Sequence, residues 1–157
     1  MKIKQRMKNR KETNLLISQG TNNAIKCSKG HSETLSHKFT KFWLGVYCWE
    51  RGLDFVTEAV FRNNQRADFI VKDWKVCFEV LGSEKIKTFL NKCYKLPTIP
   101  VPAMMDLFDL KSMMDDLDAT NGEGADFYIK KHVLSLQGHK NCDVVCFDDM
   151  IKKGGFY

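Results

Sequence analysis

The spacing of apolar residues divides the chain into helical and extended segments. From residue 32 to about residue 51, apolar positions recur every three or four residues, and Gly52 follows as a stop signal. This pattern predicts a long helix with one buried face, made of Leu35, Phe39, Phe42, Trp43, Val46 and Trp49. The aromatic residues Phe39, Phe42, Trp43 and Tyr47 are therefore interpreted as core side chains and not as a base-stacking platform.

Three short segments rich in β-forming residues come next. They cover residues 55–61, 67–71 and 76–81, with polar turns at 62–65 and 72–75. A second amphipathic helix is predicted over residues 83–95. Residues 96–102 allow a short edge strand, because each proline removes a backbone donor. The predicted core order is αβββαβ, in a mixed sheet flanked by helices, which is an α/β (α+β) fold in a single domain.

The last third of the chain, residues 103–157, is predicted to be an extension packed on the same domain. Residues 103–117 form a Met-rich helix with an acidic side, and residues 144–147 form a last strand. The methionines of the helix are consistent with an adaptable partner surface or, more commonly, with a helical core stripe. They are Met104, Met105, Met113 and Met114.

Size and hydropathy limit the class of protein. A chain of 157 residues, 43% of them hydrophobic, is long enough for one domain with a core. No apolar run approaches the ~18 residues that a membrane-spanning helix needs. The chain is therefore expected to be soluble, cytoplasmic and free of membrane contacts. Without an apparent secretory signal, its six cysteines are expected to be reduced thiols. They also lack the paired C-x2-C spacing of a zinc site.

The net charge of +6 is concentrated at the N-terminus. Residues 1–30 hold eight of the 25 Lys and Arg residues but only one of the 19 acidic residues. Scattered polar residues between these charges are typical of a mobile basic arm, whose usual attraction is a phosphate backbone. A simple solubility tail is the alternative.

The hairpin over residues 67–81 contains the most informative chemistry. A register that pairs Val71 with Val76 sets Asp68 opposite Glu79. Opposed β-carbons lie about 5 Å apart, and two like charges there are destabilising unless a cation compensates them. Two carboxylates on adjacent strands are a plausible site for Mg²⁺ or Mn²⁺. Alternatively, each carboxylate points to solvent or pairs with a nearby basic residue.

The roles of three nearby residues each allow two interpretations. Glu58 would be a third carboxylate, but a four-residue turn at 62–65 places Ala59 opposite Asp68, so including Glu58 requires a bulge or another register. His37 is a candidate general base, although a helical histidine beside lysines is more often solvated. Trp74 at a hairpin tip either wedges between bases or covers an apolar surface.

The same segments resemble the PD-(D/E)XK, or restriction-endonuclease-like, nuclease superfamily. The resemblance rests on EAVF from Glu58, RADFIV from Arg66 and FEVLGSEK from Phe78, and it covers about residues 31–102. It implies the αβββαβ core, Mg²⁺-dependent (or Mn²⁺-dependent) hydrolysis of phosphodiester bonds, and Asp68 and Glu79 as metal ligands. It also favours double-stranded DNA over RNA as the substrate. The compact size and basic arm are similar to those of small viral nucleases, which act in a host cell.

The sequence departs from the superfamily at the signature lysine, whose position is occupied by Leu81. Lys85 is the first candidate to replace it, ahead of Lys87, Lys38 and Lys41. Glu84 is either an additional ligand or base, or an acidic residue in the first turn of a helix. The residues expected to bind nucleic acid are Lys2, Lys4, Arg6, Lys8, Arg10, Lys11, Lys38, Lys41 and Lys87.

Metal-dependent cleavage of DNA is thus the expected function. One alternative is a non-catalytic nucleic-acid-binding protein with a degenerate nuclease fold, which the leucine at position 81 favours. Another is a structural or interaction protein that uses the Met-rich helix. A homodimer is compatible with each of these functions, but the sequence identifies no dimer face.

Overall fold

The computed structural model describes residues 2–27, 34–81, 96–102 and 105–136. These residues form four helices and five strands. In chain order they are α1 (Lys2–Leu16), β1 (Ile17–Asn22), α2 (Leu35–Arg51), β2 (Phe55–Phe61), β3 (Arg66–Val71), β4 (Val76–Leu81), β5 (Thr98–Pro102), α3 (Leu107–Thr120) and α4 (Ala125–Leu136). The helix predicted over 83–95 and the strand predicted over 144–147 lie outside the described residues.

The five strands form one mixed sheet in the order β1-β2-β3-β4-β5. Strands β1 to β4 pair antiparallel, and β5 joins β4 in parallel. The α+β class predicted from the sequence is confirmed. Helices α2, α3 and α4 pack on one face of the sheet and form the first core, around Leu44, Phe69, Phe78 and Met114. The opposite face carries the second core, which consists of Val56, Ala59, Phe61, Ala67, Ile70, Cys77 and Leu96.

Helix α2 turns the face opposite to the predicted one towards the sheet. Its buried positions are Thr40, Lys41, Leu44, Gly45, Tyr47 and Cys48. Of the stripe predicted to be core, Leu35 is 83% exposed, Phe39 and Phe42 are 53% exposed, and Trp49 is 49% exposed. The prediction is wrong for these four residues, because another face of the helix, around Leu44 and Cys48, enters the first core. It is confirmed for Tyr47, which lies within that core, and for Trp43, which packs against it.

The register of the β3–β4 hairpin is confirmed, since Val71 pairs with Val76 and Phe69 with Phe78. Trp74 at its tip is only 3% exposed and belongs to the first core. A side chain at Gly122 would come within 2.5 Å of the Trp74 carbonyl oxygen, so the loop after α3 closes directly over this tip. Trp74 therefore covers an apolar surface, and the base-wedge reading is wrong.

The β2–β3 hairpin has a different register from the predicted one. Phe61 N–H donates to the Gln65 carbonyl, and Asn64 adopts a left-handed conformation with φ of +67°. Such a turn is one residue shorter than the one assumed from the sequence, and left-handed backbone in this position is typical of three-residue hairpin loops. Ala59 consequently pairs with Ala67 and not with Asp68.

The N-terminal segment is folded onto the domain. Residues 2–22 form α1 and the edge strand β1, so the expectation of a mobile arm over residues 1–30 is wrong for these residues. Helix α1 is polar, and its buried residues are Asn9 and Thr13. Asn9 donates to the Asp73 carbonyl at 2.7 Å. The helix docks through hydrogen bonds and ion pairs, which an analysis of apolar periodicity does not detect.

Arg10 and Asp73 form the main ionic contact beneath α1. The Asp73 carboxylate is fully buried and accepts from Arg10 Nε at 3.0 Å and from the Asp54 N–H at 2.7 Å. The hydrogen bond to Asp73 raises the pKa of Arg10. Arg10 is thus committed to an internal contact.

Replacing Arg10 with Met is expected to destabilise the fold by about 2–3 kcal/mol, because it leaves a buried carboxylate without its cation. Urea unfolding followed by circular dichroism measures the change. The R10M/D73N double variant should recover part of the loss, and Lys8→Met, on the exposed side of α1, should stay within about 0.5 kcal/mol of wild type. A loss no larger in R10M than in K8M would contradict this role of the pair.

Helices α3 and α4 complete the first core. Asp106 caps α3 by accepting from the N–H groups of Phe108 and Asp109. Met113 and Met114 are buried, so these two methionines follow the core-stripe reading, while Met104 lies outside the described residues. Burial raises the pKa of the Cys48 and Cys77 thiols, which is consistent with structural, reduced cysteines.

His132 joins α4 to the edge strand of the sheet. Its Nδ1 lies 2.9 Å from the Pro100 carbonyl oxygen, and the side chain is only 6% exposed. Burial lowers the pKa of this imidazole, and the hydrogen bond to Pro100 opposes the effect in part. The neutral ring is therefore favoured in the folded state.

The free energy of unfolding is expected to fall as the pH drops below about 6.5, because the unfolded chain then binds a proton at His132 that the folded chain resists. The contribution is complete above that pH and is lost on acidification. Chemical unfolding of wild type and His132→Asn between pH 7.5 and 5 provides the test. The difference between the two proteins should shrink towards acid, and a constant difference would contradict the prediction.

Candidate active site on strands β2, β3 and β4

Three carboxylates occupy the same level of three neighbouring strands. In the β2–β3 register, Thr57 pairs with Phe69 and Ala59 with Ala67, so Glu58 lies opposite Asp68. The β3–β4 register, continued by one residue from the Phe69–Phe78 pair, sets Asp68 opposite Glu79. The four-residue turn predicted from the sequence would have placed Ala59 opposite Asp68. The shorter turn in the structure places Glu58 there.

The alternation of side chains between the two faces of the sheet breaks at this level. In a regular strand, successive side chains point to opposite faces of the sheet. On each of these three strands, two core residues on either side of the acidic position lie on faces that this rule does not allow. The flanking pairs are Phe55 and Ala59 on β2, Ala67 and Phe69 on β3, and Phe78 and Leu81 on β4. Such irregularities re-aim side chains, and they are common beside active sites.

Glu58 shows the largest backbone departure. Its φ is +50°, in the left-handed region that residues with a β-carbon rarely adopt. A conformation of this kind costs about 1–3 kcal/mol, and it persists only where the surrounding structure enforces it. This departure in the middle of the strand accompanies a Glu58 side chain that meets Lys41 of α2.

Lys41 on α2 is the partner of Glu58. Its side chain is fully buried, and its ammonium group contacts Glu58 Oε1. Glu58 retains 30% exposure, so the ion pair lies at the boundary between the core and solvent. A buried lysine is stable only next to anions, and the inner face of α2 places this one at the acidic line.

His37 lies one helical turn before Lys41 and meets the second acid of the line. His37 Nε2 is 3.4 Å from Asp68 Oδ2, and both side chains are less than 20% exposed. The same Asp68 oxygen accepts the Val80 N–H at 2.8 Å. The Asp68 carboxylate is thereby held between α2 and β4, and the solvated reading of His37 is wrong.

An open cleft of about 320 Å³ reaches the first acid of this line, Glu58, from solvent. It is lined by Gln19, Lys26, Cys27, Glu58, Val60 and Arg66. Lys26 and Arg66 are exposed at its rim. The cleft thus has an acid at its wall and two cations at its mouth, an arrangement suited to a phosphate that approaches a carboxylate site.

The acidic line offers oxygen donors for a divalent cation. Among the described contacts, Lys41 meets Glu58 and His37 lies beside Asp68. Glu79 is only 4% exposed, and carboxylate oxygens are the ligands that Mg²⁺ prefers. Within the part of the chain that the structure describes, no three His, Cys, Asp or Glu side chains are grouped tightly enough to hold a metal ion by themselves. The donors fit Mg²⁺, which is usually held by one or two carboxylates and several waters.

The predicted nucleic-acid-binding residues divide into four groups. Lys2, Lys4, Lys8 and Lys11 are exposed on α1. Arg6 is paired with Asp118 at 2.5 Å, Arg10 with Asp73, and Lys41 is buried, so these three are not free to meet a phosphate backbone. Lys38 is half-buried beside Phe39 and Phe42. Lys87 and the catalytic candidates Glu84 and Lys85 lie outside the described residues.

In comparisons with known proteins, no family model, curated protein or solved structure matches this chain. None of the described helices is long and apolar enough to cross a membrane.

Proposed function

We propose that this protein is a metal-dependent nuclease that hydrolyses phosphodiester bonds, with DNA as the preferred substrate. The observation that carries the proposal is the buried Lys41–Glu58 ion pair beside Asp68, at the level where three strands each present a carboxylate. A fixed ammonium and neighbouring carboxylates are groups that phosphodiester hydrolysis uses, and the cleft with Lys26 and Arg66 reaches this site at Glu58.

Asp68 and Glu79 are the residues that would hold Mg²⁺ or Mn²⁺. Asp68 is oriented by the Val80 N–H and faces His37, which restricts its rotation before any ligand arrives. When bound, the metal supplies positive charge for the phosphate oxygens and lowers the pKa of a coordinated water.

Lys41 takes the role of the lysine that is missing at Leu81. Leu81 is 3% exposed and packs in the first core, whereas Lys41 reaches the acidic line from α2. Its ammonium offers a fixed point charge to a scissile phosphate, where negative charge develops in the transition state. Glu58 orients this ammonium and is the acid most exposed to an incoming water.

Lys26 and Arg66 would hold the substrate at the mouth of the cleft. Both are exposed cations within reach of a phosphate that enters towards Glu58. Such contacts bind the backbone independently of base sequence, and the affinity should fall as salt is raised.

Cleavage of linear and circular duplex DNA and of RNA, with Mg²⁺, Mn²⁺ or EDTA, tests the proposal. Metal-dependent products from DNA are expected, and degradation of linear DNA alone would assign an end-dependent reaction. If the folded protein binds DNA in EDTA but leaves every substrate intact with every metal, the non-catalytic binding function replaces this proposal. If it neither binds nor cleaves, the interaction-protein alternative takes precedence.

A further inference from the structure

The outer face of α2 carries a row of apolar side chains, Leu35, Phe39, Phe42, Val46 and Trp49, which we call the outer stripe. Four of the five are about half exposed or more, and Val46 is half-buried between them. At the Trp49 end, the indole N–H donates to the Asn23 carbonyl and the ring lies 5.9 Å from that of Phe55. An apolar groove of about 560 Å³ runs along the stripe, closed on one side by Ala24, Ile25 and Cys27.

The spacing of the stripe fits another helix. Successive members are separated by four, three, four and three residues, which is the a/d spacing of a seam between two packed helices. Read from Trp49 back to Leu35, the spacings again alternate between three and four. The outer stripe of a second copy of α2, running antiparallel, can therefore pack against this one side chain by side chain, with Phe42 at the centre of both stripes.

The exposed area agrees with a dimer of modest size. From the exposed fractions, Leu35, Phe39, Phe42 and Trp49 leave roughly 500 Å² of apolar side chain uncovered per copy. This area approaches that of the largest apolar patches on typical monomers. With the polar residues around both stripes included, two copies would bury about 1,200 Å² in total, which is at the lower end of specific interfaces.

The charges around the stripe favour the antiparallel arrangement. The stripe itself holds no charged residue, and its flanking charges, Lys38 and Glu50, lie near opposite ends of the helix. An antiparallel pair keeps the two Glu50 side chains, and the two Lys38 side chains, at opposite ends of the contact. A parallel pair would place the two Lys38 side chains side by side, and likewise the two Glu50 side chains, so that like charges repel.

We propose that the outer stripe is a homodimer interface, in which α2 packs antiparallel against α2 of a second copy near Phe42. The inner face of α2, with His37 and Lys41, points the other way, and Cys27 lines both the groove and the cleft at Glu58, so the interface borders that cleft. The proposal does not depend on the cleavage chemistry.

Light scattering and sedimentation of the full chain over a concentration series test the dimer. A mass about twice the 18.2 kDa of the chain is expected. Phe42→Glu sets two like charges at the centre of the contact and should raise the dissociation constant at least about 30-fold. Leu35→Glu, near the end of the row, should raise it less. Phe108→Glu, an equally drastic change at an 80% exposed phenylalanine on α3, should leave the mass unchanged.

Several outcomes would overturn the proposal. Wild type that remains monomeric at about 100 µM has no such interface. A dimer that survives both Phe42→Glu and Leu35→Glu, with circular dichroism showing folded protein, uses another face. A monomer in which Trp49→Phe removes no quencher-accessible fluorescence, against the background of Trp43 and Trp74, has the stripe covered by its own chain.

Discussion

Replacing Asp68 with Asn is expected to lower kcat/KM for DNA cleavage by on the order of 10³-fold, with the protein still folded. The amide keeps the shape of the side chain and an oxygen that can accept the Val80 N–H, but it removes the charge that would hold the cation. Loss of a bound metal removes several kcal/mol of transition-state stabilisation. Steady-state cleavage of a labelled duplex in Mg²⁺ measures the effect, and Glu79→Gln should give a loss of similar size.

Asp126→Asn is the matched control for this prediction. It removes the same charge from an exposed position in the first turn of α4, away from the cleft. Its activity should stay within about twofold of wild type. Folded Asp68→Asn protein that cleaves as fast as this control would exclude Asp68 from the reaction.

Lys41→Met is expected to separate activity from stability. The substitution removes the fixed positive charge and should lower kcat by about 10²–10³-fold, the range found when one charge-stabilising group is lost. Removing one partner of an ion pair is costly when the other stays fully buried, but Glu58 remains 30% exposed and able to take up water. The free energy of unfolding should therefore fall by no more than about 1 kcal/mol.

Cleavage kinetics and urea unfolding of the same preparation check both halves of this prediction. Lys111→Met, which removes an exposed lysine from α3, serves as the control and should leave activity intact. A Lys41→Met protein that loses stability by several kcal/mol, and loses activity only in proportion to its unfolded fraction, would give Lys41 a structural role alone.

The hairpins show how far the sequence determines this site. The turn between β3 and β4 is bounded by apolar runs on both sides, which fixes the Val71–Val76 pair and so the Asp68–Glu79 register. The turn before it, Arg62-Asn-Asn-Gln, allows loops of three or four residues. Only the left-handed conformation of Asn64 decides between them, and that one residue moves Glu58 into the site.

Helix α2 shows why apolar periodicity gives little weight to Lys41. Its apolar stripe with the strongest spacing lies outside, whereas His37, Lys41, Leu44 and Cys48 share the face that meets the sheet. The sequence does contain a pattern for this inner face, because His37, Lys41, Leu44 and Cys48 follow one another at helical spacings of four, three and four. Apolar periodicity alone gives such a face less weight than a row of aromatic residues, although a buried lysine beside acids is the more specific feature.

Helix α1 is a third case, in which charge composition gave the wrong conformation. A segment with eight cations and few apolar residues is typical of a mobile arm, yet α1 is fixed by Arg6, Asn9 and Arg10, whose partners lie 112 to 115, 64 and 63 residues away. Contacts of such long range between polar groups leave no periodic trace in the sequence.

Binding of Mn²⁺ tests the central claim most directly, since a trace of contaminating nuclease cannot imitate it. Titration of the full chain, followed by the electron paramagnetic resonance of free Mn²⁺, should show saturable binding for wild type and Asp126→Asn. Binding should be lost or strongly weakened in folded Asp68→Asn and Glu79→Gln. Equal binding by all four proteins, or by none of them, would contradict a metal site between Asp68 and Glu79.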